Sequence, residues 1–215
     1  MELPDLVTAF AAIAALFISV KQMRLSNQQK LFDRRLRIWL LVERLLTAYE
    51  TCGHLIEQPD EPLGDVSTLY QWLTNTSDLH GISSATSNAL ESTTQLELHL
   101  KLDELHSSAR EASIIFAEVG PSIELFIENY KGLLFSLYKY QIQLDTMHEF
   151  ASTWHLTETE AAERTNEPIQ RQSLFKAENE LADSYERLKN QAAITSVENQ
   201  LRLVAPRQRL RDRFS

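Results

Sequence analysis

The chain starts with an unbroken apolar run and then turns amphipathic. From Leu6 to Val20, fifteen positions, nothing is charged, and Lys21 and Arg24 close the run. At ~1.5 Å per residue it covers about 22 Å of a ~30 Å hydrocarbon layer, so length alone leaves a buried core helix open. The flanks favour a span. Leu3 and Pro4 extend the apolar end, while Lys21 and Arg24 can snorkel and let Met23 and Leu25 lie deeper. A secretory signal needs a basic leader, whereas Glu2 and Asp5 stand here. The pattern therefore predicts an N-terminal transmembrane helix.

Beyond the run, helical periodicity dominates. Residues 25–56 read as one long amphipathic helix with Phe32, Leu36, Trp39, Leu40, Leu46 and Tyr49 near one side. EQPDEPLGD ends it, and a short helix through Leu69, Trp72 and Leu73 follows. In QLELHLKLDELH the leucines at 96, 98, 100 and 102 alternate as in a strand. Leu98, Leu102, Leu105, Ala109, Ala112 and Phe116 sustain a longer helical stripe, and the longer pattern is preferred.

Pro121 suits the first turn of the next helix, which runs through Leu125, Tyr130, Leu133, Leu137, Tyr140 and Leu144 toward Trp154. Thr157 and Glu160 form a capping box for a short acidic helix. Pro168 opens the last long helix, with Leu174, Leu181 and Leu188 at heptad spacing and Val197, Leu201 and Val204 beyond a phase shift. The expected fold is all-α: a transmembrane helix continuing into a cytoplasmic bundle of long helices. Its parts are an anchor over 1–24, a juxtamembrane helix over 25–56, a bundle over 57–205 and a basic tail over 206–215.

Charge sets the orientation. Residues 21–37 carry six basic side chains against Asp33 alone, so this side of the span stays in the cytoplasm and the N-terminus faces out. The net charge of −9 hides an acidic body: residues 51–198 hold nine basic and twenty-four acidic side chains. Such a surface argues against direct nucleic-acid binding, which needs a positive face. One cysteine, Cys52, excludes an internal disulfide framework and suits a reducing compartment. In the tail, Arg207, Arg209, Arg211 and Arg213 surround Leu210 and Phe214; the segment is either an ordinary disordered terminus or docks on an anionic surface.

Three constellations are candidates for function. Ala11, Ala15 and Ser19 recur every four residues and would let two spans pack closely in lipid, although an alanine-rich helix shows this spacing by chance. Leu31, Phe32, Asp33, Arg34, Arg35, Ile38 and Trp39 form a dense juxtamembrane element. Its arginines lie about 20 Å along the helix from Lys21. They either pair with acids of the body or line an anion pocket. His99, Asp103 and His106 share a helix face, with an echo in Asp145 and His148. Di-iron bundles use Glu-x-x-His, which is absent here, so a solvated polar face explains these residues better than metal.

Catalysis and cofactors are not indicated. The five glycines are scattered, leaving no phosphate-cradling loop and no Gly-x-Ser-x-Gly elbow. No arginine precedes a histidine at the four-to-six-residue gap of HEPN ribonucleases.

LFDRRLRIW (Leu31–Trp39) resembles a Leu-Phe-Asp-Arg-Arg-x-x-Ile-Tyr element of small bacterial single-span membrane proteins, with Trp39 in place of the usual tyrosine. ASIIFAEVGPSIELFIENY (Ala112–Tyr130) is similar to a second block in such proteins. They often stand beside phage-defence genes, so the resemblance implies an inner-membrane defence component. The expected function is a self-associating, membrane-anchored effector that acts on bilayer integrity under a cytoplasmic partner or signal. The alternative is a passive scaffold that tethers a cytoplasmic protein. Its expected partners are membrane lipid, further copies of itself and a cytoplasmic protein.

Overall fold

The computed structural model describes residues 3–52, 66–190 and Leu201, with side chains from Ala15 onward. Every regular element among them is helical: α1 (Leu3–Cys52), α2 (Val66–Thr74), α3 (Ser92–Ile115), α4 (Gly120–Trp154), α5 (Glu158–Arg164) and α6 (Glu167–Lys189), with a single 3-10 turn at His80–Ile82. The all-α expectation holds. The stretch after Pro206, Gly53–Ile56, Val197 and Val204 lie outside the described residues.

Helix α4 is the hub of the body. It packs most extensively against α6 and α3, while α1 makes a smaller interface with α2, α3 and α4. Ile123, Phe126, Ile127, Tyr130, Leu133, Leu134 and Leu137 form its buried face. Three of its tyrosines spend their hydroxyls on other elements. Tyr130 donates to the Leu73 carbonyl at 2.6 Å, Tyr138 to the Ala89 carbonyl, and Tyr140 to the Glu167 carboxylate at 2.6 Å. The end of α2, the turn before α3 and the start of α6 are thereby fixed to one helix. Each hydroxyl is paired where burial would otherwise penalise it.

The alternating leucines resolve as helix. Leu98, Leu102, Leu105, Ala109, Ala112 and Phe116 are all buried, whereas Leu96 and Leu100 point outward. Leu174, Leu181 and Leu188 are buried along α6 as their spacing requires. Thr157 caps α5 reciprocally with Glu160, and Pro121 and Pro168 stand in the first turns of α4 and α6. His155 ends α4 in the left-handed region at φ 51°.

Two expected faces need correction. On α1 the core takes Ile38, Leu41, Val42, Leu45, Tyr49 and Cys52, while Leu40 is exposed and Phe32, Leu36, Trp39 and Leu46 are only half-buried. The run IWLLVERLL is apolar on several sides, so its own periodicity does not set the phase; the contacts of the body do. On α4, Leu125 lies outside, displaced by Ile123, Phe126 and Ile127. Trp72 on α2 is likewise largely outside.

α1 is one continuous helix through the expected anchor boundary, and 50 residues give it a length of ~75 Å. All residues from Ala15 to Leu31 are exposed, so about 25 Å of helix stands clear of the body. Among the described residues, no helix is long and apolar enough to cross a membrane. The side chains of Leu6–Ala14, the larger part of the uncharged run, fall outside that description.

Candidate functional site

The Leu31–Trp39 element sits where the projecting part of α1 meets the body. Its opening residue Leu31 and Asp33 are exposed, Phe32 and Trp39 are half-buried, and Ile38 enters the core. The two arginines face the C-terminal end of α3. Arg35 donates from Nε to the Ile115 carbonyl at 2.9 Å, and its guanidinium lies 6.0 Å from the centroid of the Phe116 ring. Arg34 lies 3.7 Å from Glu111.

This end of α3 needs such a partner. The last four carbonyls of a helix have no intrahelical donor, and the helix dipole gathers negative charge there. Arg35 answers both demands with a charge-assisted hydrogen bond to a carbonyl. The Phe116 amide bonds back to the Ala112 carbonyl at 3.0 Å, and the Gly120 amide to the Phe116 carbonyl at 3.1 Å. Gly120 is required by close approach. A Cβ there would meet the Ala112 carbonyl oxygen at 2.8 Å and the Ser113 Cα at 3.0 Å. The two sequence blocks Leu31–Trp39 and Ala112–Tyr130 therefore meet in one corner. There Arg34 stands near the acid Glu111, while the Arg35 Nε is spent on a backbone carbonyl rather than an acid.

A second joint lies toward the other end of α1, and sequence reading missed it. The Tyr49 and Tyr185 rings meet edge-on with centroids 5.1 Å apart, and the Tyr49 hydroxyl reaches Glu178 at 3.5 Å. Glu50 accepts from the Tyr185 hydroxyl at 2.9 Å and pairs with Lys189 at 2.6 Å. The Lys189 hydrogen bond, aided by Tyr185, holds the Glu50 carboxyl below the usual carboxylate range. Burial pushes the Tyr49 hydroxyl well up, with Glu178 adding to it. Tyr185 and Lys189 stand four apart on α6, which marks a shared face. Nothing in the sequence names their partners more than a hundred positions away.

The remaining candidates disperse. Ala15 and Ser19 are exposed on the projecting part of α1, while the Ala11 side chain lies outside the described residues. His99 packs near the Phe135 ring, His106 pairs with Glu128, and Asp145 accepts from Gln141 at 2.9 Å. Asp103 and His148 are exposed. Among the described residues no group of three or more His, Cys, Asp or Glu side chains is placed to hold a metal. Cys52 is buried, and burial pushes its thiol up to about 11, far from the range of a reactive nucleophile. The two joints offer mechanical coupling of α1 to the body.

No family model, curated protein or solved structure matches this chain.

Proposed function

We propose that the protein is a self-associating, membrane-anchored effector whose body controls α1 through the two joints. The observation that carries this reading is the projecting end of α1. Leu16 and Phe17 are 70% and 71% exposed, and Ile18, Met23 and Leu25 are each more than half exposed. Apolar side chains repeated along a helix clear of the body need a cover, and an acyl layer or a like helix supplies it. The anchor would lie in a bacterial inner membrane with the body in the cytoplasm. Acting on bilayer integrity in phage defence follows from the resemblance of the two blocks, and their meeting at the Arg35 corner gives that resemblance a physical sense.

Several copies are needed for such an action, because one helix encloses no path for ions. Ala15 and Ser19 are small enough for close helix contact. Alkaline extraction of membranes tests the anchor: the protein stays with the pellet. Release into the supernatant would sink the reading.

The scaffold reading draws on a different surface. Leu96 and Leu100 stand one turn apart on the outer face of α3, both more than half exposed. A tethered partner could cover them. Exchange of residues 1–20 for an unrelated single span separates the readings, since a scaffold keeps its activity and an effector with a specific seam loses it.

A further inference from the structure

The outer face of α3 carries an apolar pair inside an acidic frame. Leu96 and Leu100 stand one turn apart, and both are more than half exposed. Glu97 and Asp103 lie three positions before and after Leu100, so helical spacing sets one on each side of it. Both acids are exposed and have no ion-pair partner among the described residues. We infer that the basic segment 206–215 of the same chain docks antiparallel on this face and covers the two leucines.

The tail repeats the pattern with the opposite sign. Arg207 and Arg213 lie three positions before and after Leu210. Phe214 follows Leu210 by four, as Leu96 precedes Leu100 by four. Run antiparallel, Leu210 meets Leu100 and Phe214 meets Leu96. The same register brings Arg207 to Asp103 and Arg213 to Glu97. All four pairs are complementary, apolar with apolar and cation with anion. Asp212, the one acid of the tail, stands two positions from Leu210, a spacing that faces away in a helix. The remaining basic and titratable groups on this part of α3 are engaged elsewhere: Lys101 pairs with Glu104, His106 pairs with Glu128, and His99 lies near the Phe135 ring.

Tethering strengthens a contact of this size. Leu201 is partly buried against the core, and nine positions, about 30 Å of extended chain, separate it from Leu210. The tail is therefore held at a high local concentration, and a weak interface suffices. Helix α5 is acidic too, with Glu158 and Glu163, but its only apolar residues are Ala161 and Ala162, too small to receive Leu210 and Phe214. The contact is independent of whether α1 enters a bilayer. It covers the surface on which the scaffold reading places a tethered partner, so such a partner must displace the tail.

Trypsin, which cuts after arginine, reads the tail in the full-length protein in neutral detergent. Release of tail fragments, followed by mass, should be about tenfold slower than cleavage of a synthetic peptide of residues 206–215. Two double variants, Leu96→Ser with Leu100→Ser and Glu97→Gln with Asp103→Asn, change only exposed side chains. Each should raise release to within about twofold of the peptide while the helical circular dichroism stays unchanged. Glu158→Gln with Glu163→Gln, on α5, should leave the protection intact. Release as fast as from the free peptide overturns the inference. So does protection that survives both α3 variants or is lost equally in the α5 variant. Protection that fades on dilution, because another copy supplies the tail, or that requires anionic vesicles also overturns it.

Discussion

Arg35 donates to the carbonyl of Ile115 at 2.9 Å across eighty positions of sequence, joining the helix that projects from the body to the closing turn of α3. The bond spans the two segments that stand out in the sequence. It also places a cation where a helix end needs one. The mechanical account of this protein rests on that corner.

Arg35→Ala should lower stability by about 1.5–3 kcal/mol, the range for a hydrogen bond to a charged donor. Arg35→Lys should recover only part of it, since an ammonium cannot repeat the directed Nε bond and the contact with Phe116 together. Denaturant midpoints of the three proteins check this. Equal midpoints would remove the corner from the account.

The two helical glycines of α4 should respond in opposite directions. At Gly120 an added methyl meets backbone of α3, which cannot give way as a side chain tip would, so Gly120→Ala should cost about 1–3 kcal/mol. At Gly132 nothing lies within 4 Å of the added carbon. Gly132→Ala should stabilise by up to about 1 kcal/mol through helix propensity. Thermal midpoints read both signs.

Glu50 titrates below its ordinary range in the folded protein because Lys189 and Tyr185 bond its charged form. A depressed folded value means the unfolded chain binds the proton more readily. The contribution is therefore present above the ordinary glutamate pKa and is lost as pH falls through the lower folded value. Glu50→Gln should flatten the acid limb of a stability–pH curve between about pH 5 and 3 and leave its slope above pH 6 unchanged. The pair is largely exposed, so the effect is small and weakens in salt.

Cys52 reports opening of the α1 joint. It is fully buried and its thiol is raised to about 11, so the native protein should resist a thiol reagent at pH 8. Labelling should become fast in denaturant. Fast labelling of the native protein would mean that this end of α1 opens readily.

Much of the body was legible in the sequence because single-sided stripes force a phase. Leu98 to Phe116 on α3 and Leu174, Leu181 and Leu188 on α6 allow one burial pattern each, and Thr157 with Glu160 carries its own local geometry. Where apolar residues surround a helix, as from Ile38 to Leu46, the sequence holds several acceptable faces, and α2, α3 and α4 choose among them. Of the two joints on α1, only Arg34 and Arg35 stood out as an unusual pair. Their acceptors did not, because one of them is a backbone carbonyl, which carries no sequence identity. The clasp of Tyr49 and Glu50 with Glu178, Tyr185 and Lys189 was invisible for a related reason: each residue is ordinary on its own helix.

Membrane potential in cells tests the effector account most directly. Producing the protein at high level, or with its trigger, should depolarise the cells. Deletion of residues 1–20 should abolish the effect and Ala15→Leu should reduce it, while Gly132→Ala, which only alters the body, leaves it intact. An unchanged potential during a demonstrated toxic or protective response would contradict the account.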